Sequence, residues 1–231
     1  MRIVVFGANG GTGRLLTQQV LDAGHDVVAV TRTPEQFPLV HERLTVAEAD
    51  VHDVEAVARA VAGSEAVLSA LGVPFTRKPI DVYSAGIASI GAAMKQHGIT
   101  RVVVVSSAGT EPRHHDGAGF LLNRVMQPLV TATIGKTTYA DMRDMEGRLR
   151  ASDLDWTLMR PSGLFDAPAV SNYQLHENHA DGVFTSRADL AASMLAQVTS
   201  TQWIHKFVAV TTSEGAPTLL QMIRREAFSG H

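Results

Sequence analysis

Residues 1–14 read MRIVVFGANGGTGR, an apolar run that passes directly into a loop with four glycines. Glycine has no Cβ that would keep a ligand away from the backbone. A helical pattern begins at about Thr12, so the free N–H groups and the positive dipole end of that helix would face the loop. The last glycine of the motif, Gly13, would let the helix pack closely against the first strand.

The alternative interpretation of this loop is a tight strand–helix turn that binds nothing. The strand before it, the amphipathic helix after it and the βαβ unit that follows favour a nucleotide site. A pyrophosphate cradle is therefore predicted from the loop residues Gly7, Asn9, Gly10, Gly11, Thr12 and Gly13.

Beyond the loop, short β-branched runs alternate with helical patterns, which is typical of a parallel sheet with helices on both faces. The runs are continuously apolar, as strands covered on both sides require. Strands are predicted at residues 2–6, 26–31, 44–47, 66–69, 101–106 and 156–160. The pattern predicts an α/β fold, a doubly wound Rossmann fold with a mostly parallel sheet, in one domain over residues 1–231.

Residues 110–138 interrupt the alternation with a segment much longer than a usual connection. We expect a lid or pocket wall beside the substrate or, alternatively, a contact in a homodimer. His114 and His115 lie in this segment, but adjacent loop histidines rarely aim at one ion and no third ligand is spaced nearby, so no metal site is predicted. A small substrate-side region is predicted at about residues 162–231, with a final packing helix at 222–228.

The amino-acid composition excludes several classes of binding partner and site. The net charge is -3 and no run of basic residues occurs, so a nucleic-acid partner is not expected. The chain has no cysteine, which excludes disulfides and thiolate metal sites. Neither a signal peptide nor a membrane-spanning apolar stretch is recognisable. We therefore expect a cytoplasmic protein that acts on a small molecule.

The residues after the second predicted strand indicate which dinucleotide is preferred. Sites selective for NAD carry an acidic residue there, which holds the ribose hydroxyls. This chain has Arg32 and Thr33 instead. Arg32 could bind a 2′-phosphate through two N–H groups, and Thr33 could add a hydroxyl contact. NADP(H) is therefore the predicted cofactor, the alternative being that Arg32 is a solvated loop residue.

Several separated segments resemble the atypical short-chain dehydrogenase/reductases. More narrowly, they are similar to the NAD(P)H-binding group that includes NmrA-like proteins and biliverdin reductase B, a flavin reductase. The segments are GANGGTGR at 7–14, AEADV at 47–51, SALG at 69–72, VVVVSSAG at 102–109 and SDLDWTLMRPSGL at 152–164.

The resemblance implies further cofactor contacts. Asp50 and Val51 would lie against the adenine, and Leu71 and Gly72 beside the ribose and phosphates. The nicotinamide end would be flanked by three residues that follow strands: Ser106, Ser107 and Pro161. An alternative for the two serines is that they satisfy backbone groups at the strand end.

The larger dehydrogenase family uses a Tyr-x-x-x-Lys pair, in which the lysine lowers the tyrosine pKa for proton transfer. This chain lacks that pair. In one register Tyr139 takes the tyrosine position and Arg143 replaces the lysine. In the other, which we favour, Glu146 is the family's glutamate, and Thr138 and Met142 occupy the two positions. Ser107 and Tyr139 are the candidate catalytic residues.

Three functions fit these features. The first is an NADPH-dependent reductase of a flavin, quinone or similar conjugated acceptor, which takes its proton from water. The second is a regulatory protein of the NmrA-like kind, which senses NADP(H) without turnover. The third is a sugar-nucleotide or small-carbonyl enzyme that uses Tyr139 and Arg143. A pocket lined by Leu71, Val73, Phe120 and Phe165 would favour the first.

Overall fold

The structure, a computed structural model, describes residues 1–74, 76, 78–111, 135–180, 182 and 184–217. Most of the predicted lid, together with His114, His115 and Phe120, lies outside these residues, as does the predicted helix at 222–228. The strands are β1 (Arg2–Phe6), β2 (Asp26–Thr31), β3 (Leu44–Glu48), β4 (Ala66–Ser69), β5 (Arg101–Val105), β6 (Asp155–Pro161), β7 (Gly163–Phe165), β8 (Gln174–Glu177), β9 (Phe184–Ser186) and β10 (Lys206–Thr211). The helices are α1 (Gly11–Asp22), α2 (Val54–Val61), α3 (Val82–His97), α4 (Lys136–Arg150) and α5 (Arg187–Ala196), with 3₁₀ turns at Pro34–Gln36 and Ala108–Thr110.

In the described part of the chain, eight strands form one sheet in the order β3-β2-β1-β4-β5-β6-β10-β8. All neighbours are parallel except β8, which runs antiparallel to β10. The chain leaves β1 in one direction for β2 and β3 and returns to the other side of β1 for β4. This reversal places the ligand cleft of such a sheet at the carboxyl ends of β1 and β4. The predicted doubly wound Rossmann fold is confirmed.

Alternating side chains of the central strand divide the core into two layers. Val4 and Phe6 face the cluster formed with α2, α3 and α4. Ile3 and Val5 face the opposite cluster, formed with α1 and α5. The helices therefore cover both faces of the sheet, as its continuously apolar strands require.

The strand boundaries differ slightly from the predicted ones. β5 ends at Val105 rather than at residue 106, and β6 extends over Asp155–Pro161. Ser106 follows β5 directly: its N–H still donates to the backbone oxygen of Met159 in β6 at 2.8 Å, and its hydroxyl donates to Glu146 of α4 at 2.7 Å.

The start of α3 is held by a carboxylate from another helix. Asp81, the residue before α3, makes no side-chain cap. The buried Asp141 of α4 accepts hydrogen bonds from the backbone N–H groups of Tyr83 (2.9 Å) and Ser84 (3.2 Å). This contact stabilises the free N–H groups at the helix end and joins α3 to α4.

We expect Asp141→Ala to lower the free energy of unfolding by about 1–3 kcal/mol, because two buried N–H groups lose their acceptor. Chemical denaturation of the purified protein measures the change. Asp144→Ala is the matched control, since this exposed carboxylate of α4 pairs only with Arg148 among the described contacts and should change stability by less than about 0.5 kcal/mol. Equal losses in the two variants would contradict the assigned role of Asp141.

Candidate functional site: a dinucleotide cleft at the sheet reversal

The glycine loop packs with no space for side chains at two positions. Gly7 has a φ of +71°, and a Cβ there would lie 2.5 Å from the carbonyl oxygen of Ala70. A Cβ on Gly13 would overlap the carbonyl oxygen of Gly7. The loop closes with a hydrogen bond from Gly10 N–H to Gly7 C=O, 3.0 Å, and α1 begins at Gly11. The first N–H groups of α1 consequently point into the cleft, as a bound pyrophosphate requires.

Asn9 links this loop to the end of β2. Its side-chain oxygen accepts two hydrogen bonds from Arg14, at 3.0 and 2.7 Å, and its amide nitrogen donates to the Thr33 hydroxyl at 3.4 Å. Arg14, which was not among the predicted site residues, brings a second exposed guanidinium to this side of the loop. The fact that it directly follows the glycine motif was the available signal.

Arg32 lies at the same end of the cleft and is 74% exposed. One guanidinium nitrogen is 4.0 Å from a carboxylate oxygen of Asp50, a separation too long for a strong pair. The side chain is thus available to a phosphate that approaches from solvent. Its position fits the predicted contact with a 2′-phosphate.

Asp50 is also part of a cluster of charges with His52 and Asp81. The His52 ring bridges the two carboxylates, with Nδ1 2.6 Å from Asp50 and Nε2 3.0 Å from Asp81. These hydrogen bonds raise the pKa of His52, chiefly through Asp50. Hydrogen bonds from the His52 backbone and ring lower the pKa of Asp50. The carboxylate predicted to face the adenine therefore stays ionised and fixed by its neighbour.

Val51 and Leu71 meet at the first part of α3. A Cβ on Gly86 would lie 2.8 Å from Leu71 Cδ1 and 3.6 Å from Val51 Cβ, so this glycine lets both side chains approach the helix. Gly72, the next residue, is exposed, and among the described residues other than its chain neighbours no atom lies within 4 Å of the position its Cβ would take. The Val73 N–H donates to the hydroxyl of the buried Tyr83, which fixes the course of this strand-end segment.

The other end of the cleft rests on a buried ion pair. Glu146 of α4 and Arg160 of β6 are each 3% exposed, and their closest oxygen and nitrogen atoms are 2.6 Å apart. Glu146 also accepts hydrogen bonds from the hydroxyls of Ser106 (2.7 Å) and Thr110 (3.1 Å). The side chain of Ser106, a predicted cofactor contact, is therefore directed into the protein interior.

Ser107, the other predicted serine, is half-buried and its hydroxyl is hydrogen-bonded to the hydroxyl of Tyr139. The Tyr139 ring packs on Gly109, where a Cβ would lie 2.5 Å from a ring carbon. Burial raises the pKa of Tyr139, and the hydrogen bond with Ser107 opposes part of that shift. The two candidate catalytic residues are thus brought together after β5.

This pairing bears on the two possible registers of the tyrosine motif. Thr138, Tyr139 and Met142 are all buried, and Tyr139 is the side chain that reaches Ser107. Consecutive helical residues point about 100° apart, so Thr138 and Tyr139 do not face the strand end together. The assignment of Thr138 and Met142 to the two motif positions stays a prediction. Arg143, at the lysine position of the other register, donates to the backbone oxygen of Thr110 at 3.3 Å.

Pro161 ends β6, where it is buried and pairs with Val210 of β10. The next residue, Ser162, begins the connection to β7, and its N–H donates to Thr185 at 3.0 Å. Phe165 of β7 is buried against Phe184 of β9, with ring centroids 6.4 Å apart. Phe165 therefore packs within the substrate-side region.

No three His, Asp or Glu side chains among the described residues are grouped closely enough to hold a metal ion. No helix in the same residues combines the length and apolar character needed to cross a membrane.

Comparisons with known proteins agree with this geometry. The model of a family described as NAD(P)H-binding matches residues 7–201. A protein of Schizosaccharomyces pombe, UPF0659 protein C216.03, is 26% identical over 230 residues, which cover 90% of this chain and 88% of that protein.

Two solved structures share the fold. A short-chain dehydrogenase/reductase of Veillonella parvula in complex with NADP superposes with a TM-score of 0.74 at 22% identity, covering 92% of this chain and 95% of that one. ChuY, an anaerobilin reductase of Escherichia coli O157:H7, gives a TM-score of 0.72 at 21% identity, covering 94% and 100%. The cradle at Gly7–Gly13 and a family match over most of the length lead to one conclusion: this chain belongs to the NAD(P)H-binding family.

Proposed function

We propose that the chain binds NADPH and promotes hydride transfer from it to a conjugated acceptor such as a flavin or quinone. When bound, the cofactor supplies the hydride from C4 of its nicotinamide ring. The observation that carries the proposal is the environment of Tyr139: it is buried, its pKa is raised, and the cation one helical turn further on is Arg143, whose guanidinium is turned to a backbone carbonyl.

This environment decides which acceptors are suitable. Reduction of a simple ketone needs a positioned acid that delivers a proton in the transition state. A tyrosine with a raised pKa gives up its proton less readily than a tyrosine beside a lysine. Flavins and quinones accept hydride without that help, because the added charge spreads over the ring system and water supplies the proton. The contribution of this chain is then to orient donor and acceptor.

The positions of the residues around the cleft indicate which of them would contact each part of the cofactor. The N–H groups at the start of α1 would hold the pyrophosphate, and Arg32, Thr33 and Arg14 would hold the 2′-phosphate. Val51 and Leu71 would cover the adenosine. Ser107 and Tyr139 would flank the nicotinamide ring and leave its reacting face open to the acceptor.

We expect wild-type protein to bind NADPH more tightly than NADH by about 10-fold or more, because charged hydrogen bonds to the 2′-phosphate are worth about 1.5–3 kcal/mol. Arg32→Gln should remove most of this preference and leave the affinity for NADH unchanged. Calorimetric titration measures both constants. Arg59→Gln, which alters an exposed arginine of α2, is the control and should retain the preference. Equal affinities of wild-type protein for the two cofactors would contradict the assignment of Arg32.

We expect the protein to oxidise NADPH when FMN or a simple quinone is added, and Tyr139→Phe to keep that rate within about fivefold. A catalytic acid contributes about 10²–10⁴-fold, so a loss of 100-fold or more would show that Tyr139 delivers a proton. NADPH absorbance follows the reaction, and stabilisation of the variant by NADPH shows that its cleft is intact. Tight NADPH binding without oxidation by any acceptor would favour a sensor of the NmrA-like kind instead.

A further inference from the structure

The guanidinium of Arg187 lies over the start of the phosphate-binding helix. A Cβ built on Gly11, the first residue of α1, would lie 3.1 Å from Nε and 3.2 Å from Cδ of Arg187. Arg187 is the first residue of α5. It is far in the sequence from the glycine loop, which starts at residue 7. The fold therefore brings a distant arginine to the helix end where a pyrophosphate is expected.

The backbone that carries Arg187 is held firmly. The Ser186 hydroxyl caps α5 by accepting from the Asp189 N–H at 3.0 Å. The carboxylate of Asp189 is fully buried and accepts from the N–H of Ser171 at 2.7 Å and from the Thr212 hydroxyl. On α1, Gln19 donates to the backbone oxygen of Ala188 at 3.1 Å, which ties the two helices together. The arginine thus projects from a fixed point beside the loop.

The electrostatic surroundings of Arg187 favour an anion. A cation is disfavoured near the positive end of a helix, and Arg187 stands at two such ends, those of α1 and α5. Its ion-pair partner among the described residues is Asp166, 2.9 Å away and 81% exposed. An exposed partner stabilises a pair weakly, because water screens both charges. A phosphate over Gly11 would interact favourably with the guanidinium and with the N–H groups of α1 together.

We propose that Arg187 binds the pyrophosphate of the dinucleotide and gives up its contact with Asp166 when it does so. Arg187 then contacts the pyrophosphate from the side opposite the glycine loop. Its planar guanidinium can donate two parallel hydrogen bonds to phosphate oxygens. Asp166, which follows β7 in the substrate-side region, competes with the cofactor for the same guanidinium. This inference rests on the proposed dinucleotide site but not on the identity of the acceptor.

Competition between the cofactor and Asp166 for Arg187 predicts changes in cofactor affinity that a purely structural ion pair would not produce. Arg187→Gln removes the phosphate contact, so the affinity for NADP⁺ should fall by about 10-fold. Asp166→Asn removes the competitor, so the affinity should rise by a few-fold. A structural pair would instead make both substitutions neutral, or make both harmful.

The experiment is a calorimetric titration of wild-type protein and the two variants with NADP⁺ and with adenosine 2′-monophosphate. The second ligand carries the 2′-phosphate and no pyrophosphate, so Arg187→Gln should leave its affinity unchanged. Arg148→Gln and Asp144→Asn, which break an exposed pair on α4, are matched controls and should bind both ligands as wild type does. Opposite shifts for NADP⁺ with no shift for the monophosphate would support the proposal.

Three results would overturn it. Unchanged NADP⁺ affinity in Arg187→Gln would show that the arginine does not bind the cofactor. Equal weakening toward both ligands would show a general disturbance of the cleft. A rate loss with FMN but not with riboflavin, at unchanged NADP⁺ affinity, would place the acceptor's phosphate on Arg187 instead. Failure of the wild-type protein to bind NADP⁺ would contradict the proposed function itself. It is distinguishable from the three results above, because in each of those the wild-type protein does bind NADP⁺.

Discussion

The cleft depends on one close contact, between Gly13 of α1 and the carbonyl oxygen of Gly7 at the end of β1. Any Cβ at residue 13 would overlap that oxygen and push α1 away from the sheet. The approach of α1 aims its first N–H groups into the sheet reversal, and it also sets where α5 can pack. Since Arg187 begins α5, its position over Gly11 follows from the same contact. The same contact therefore positions both the phosphate-binding loop and the guanidinium of Arg187 above it.

The nicotinamide end depends on a different kind of interaction, the buried pair of Glu146 and Arg160. Burying two charges is costly, and such a pair stabilises only when further hydrogen bonds satisfy both groups. Here the carboxylate also accepts from two hydroxyls, and the guanidinium lies 4.1 Å from the centre of the Phe207 ring. Because Ser106 is bound in this network, the segment after β5 is held in one course. That course presents Ser107, and not Ser106, to Tyr139.

Local sequence patterns were sufficient for β1 to β6, the glycine loop and the family, because each is encoded in a short run of residues. They could not predict contacts between distant segments. The cap that Asp141 provides for α3, the approach of Arg187 to Gly11 and the burial of Ser106 against Glu146 all join separate elements, and only the packed fold brings them together. The register of the tyrosine motif stays a prediction for a related reason: a one-residue shift on a helix changes the face that meets the strand end, and a motif without its lysine does not define that face. The strands β7 to β10 were not predicted either. β7 and β9 have three residues each and β8 is mostly polar, so their signal is weak, whereas the apolar run of β10 was an available signal that was missed.

The central claim is that this cleft orients NADPH so that one face of its nicotinamide reaches an acceptor. The most direct test is a single-turnover oxidation of NADPH by FMN in the absence of oxygen, with deuterium at one or the other C4 position. An oriented cofactor presents only one of these positions, so we expect a slower reaction with one label and an unchanged rate with the other. No oxidation, or equal slowing by both labels, would show that the protein does not position the nicotinamide and would contradict the account.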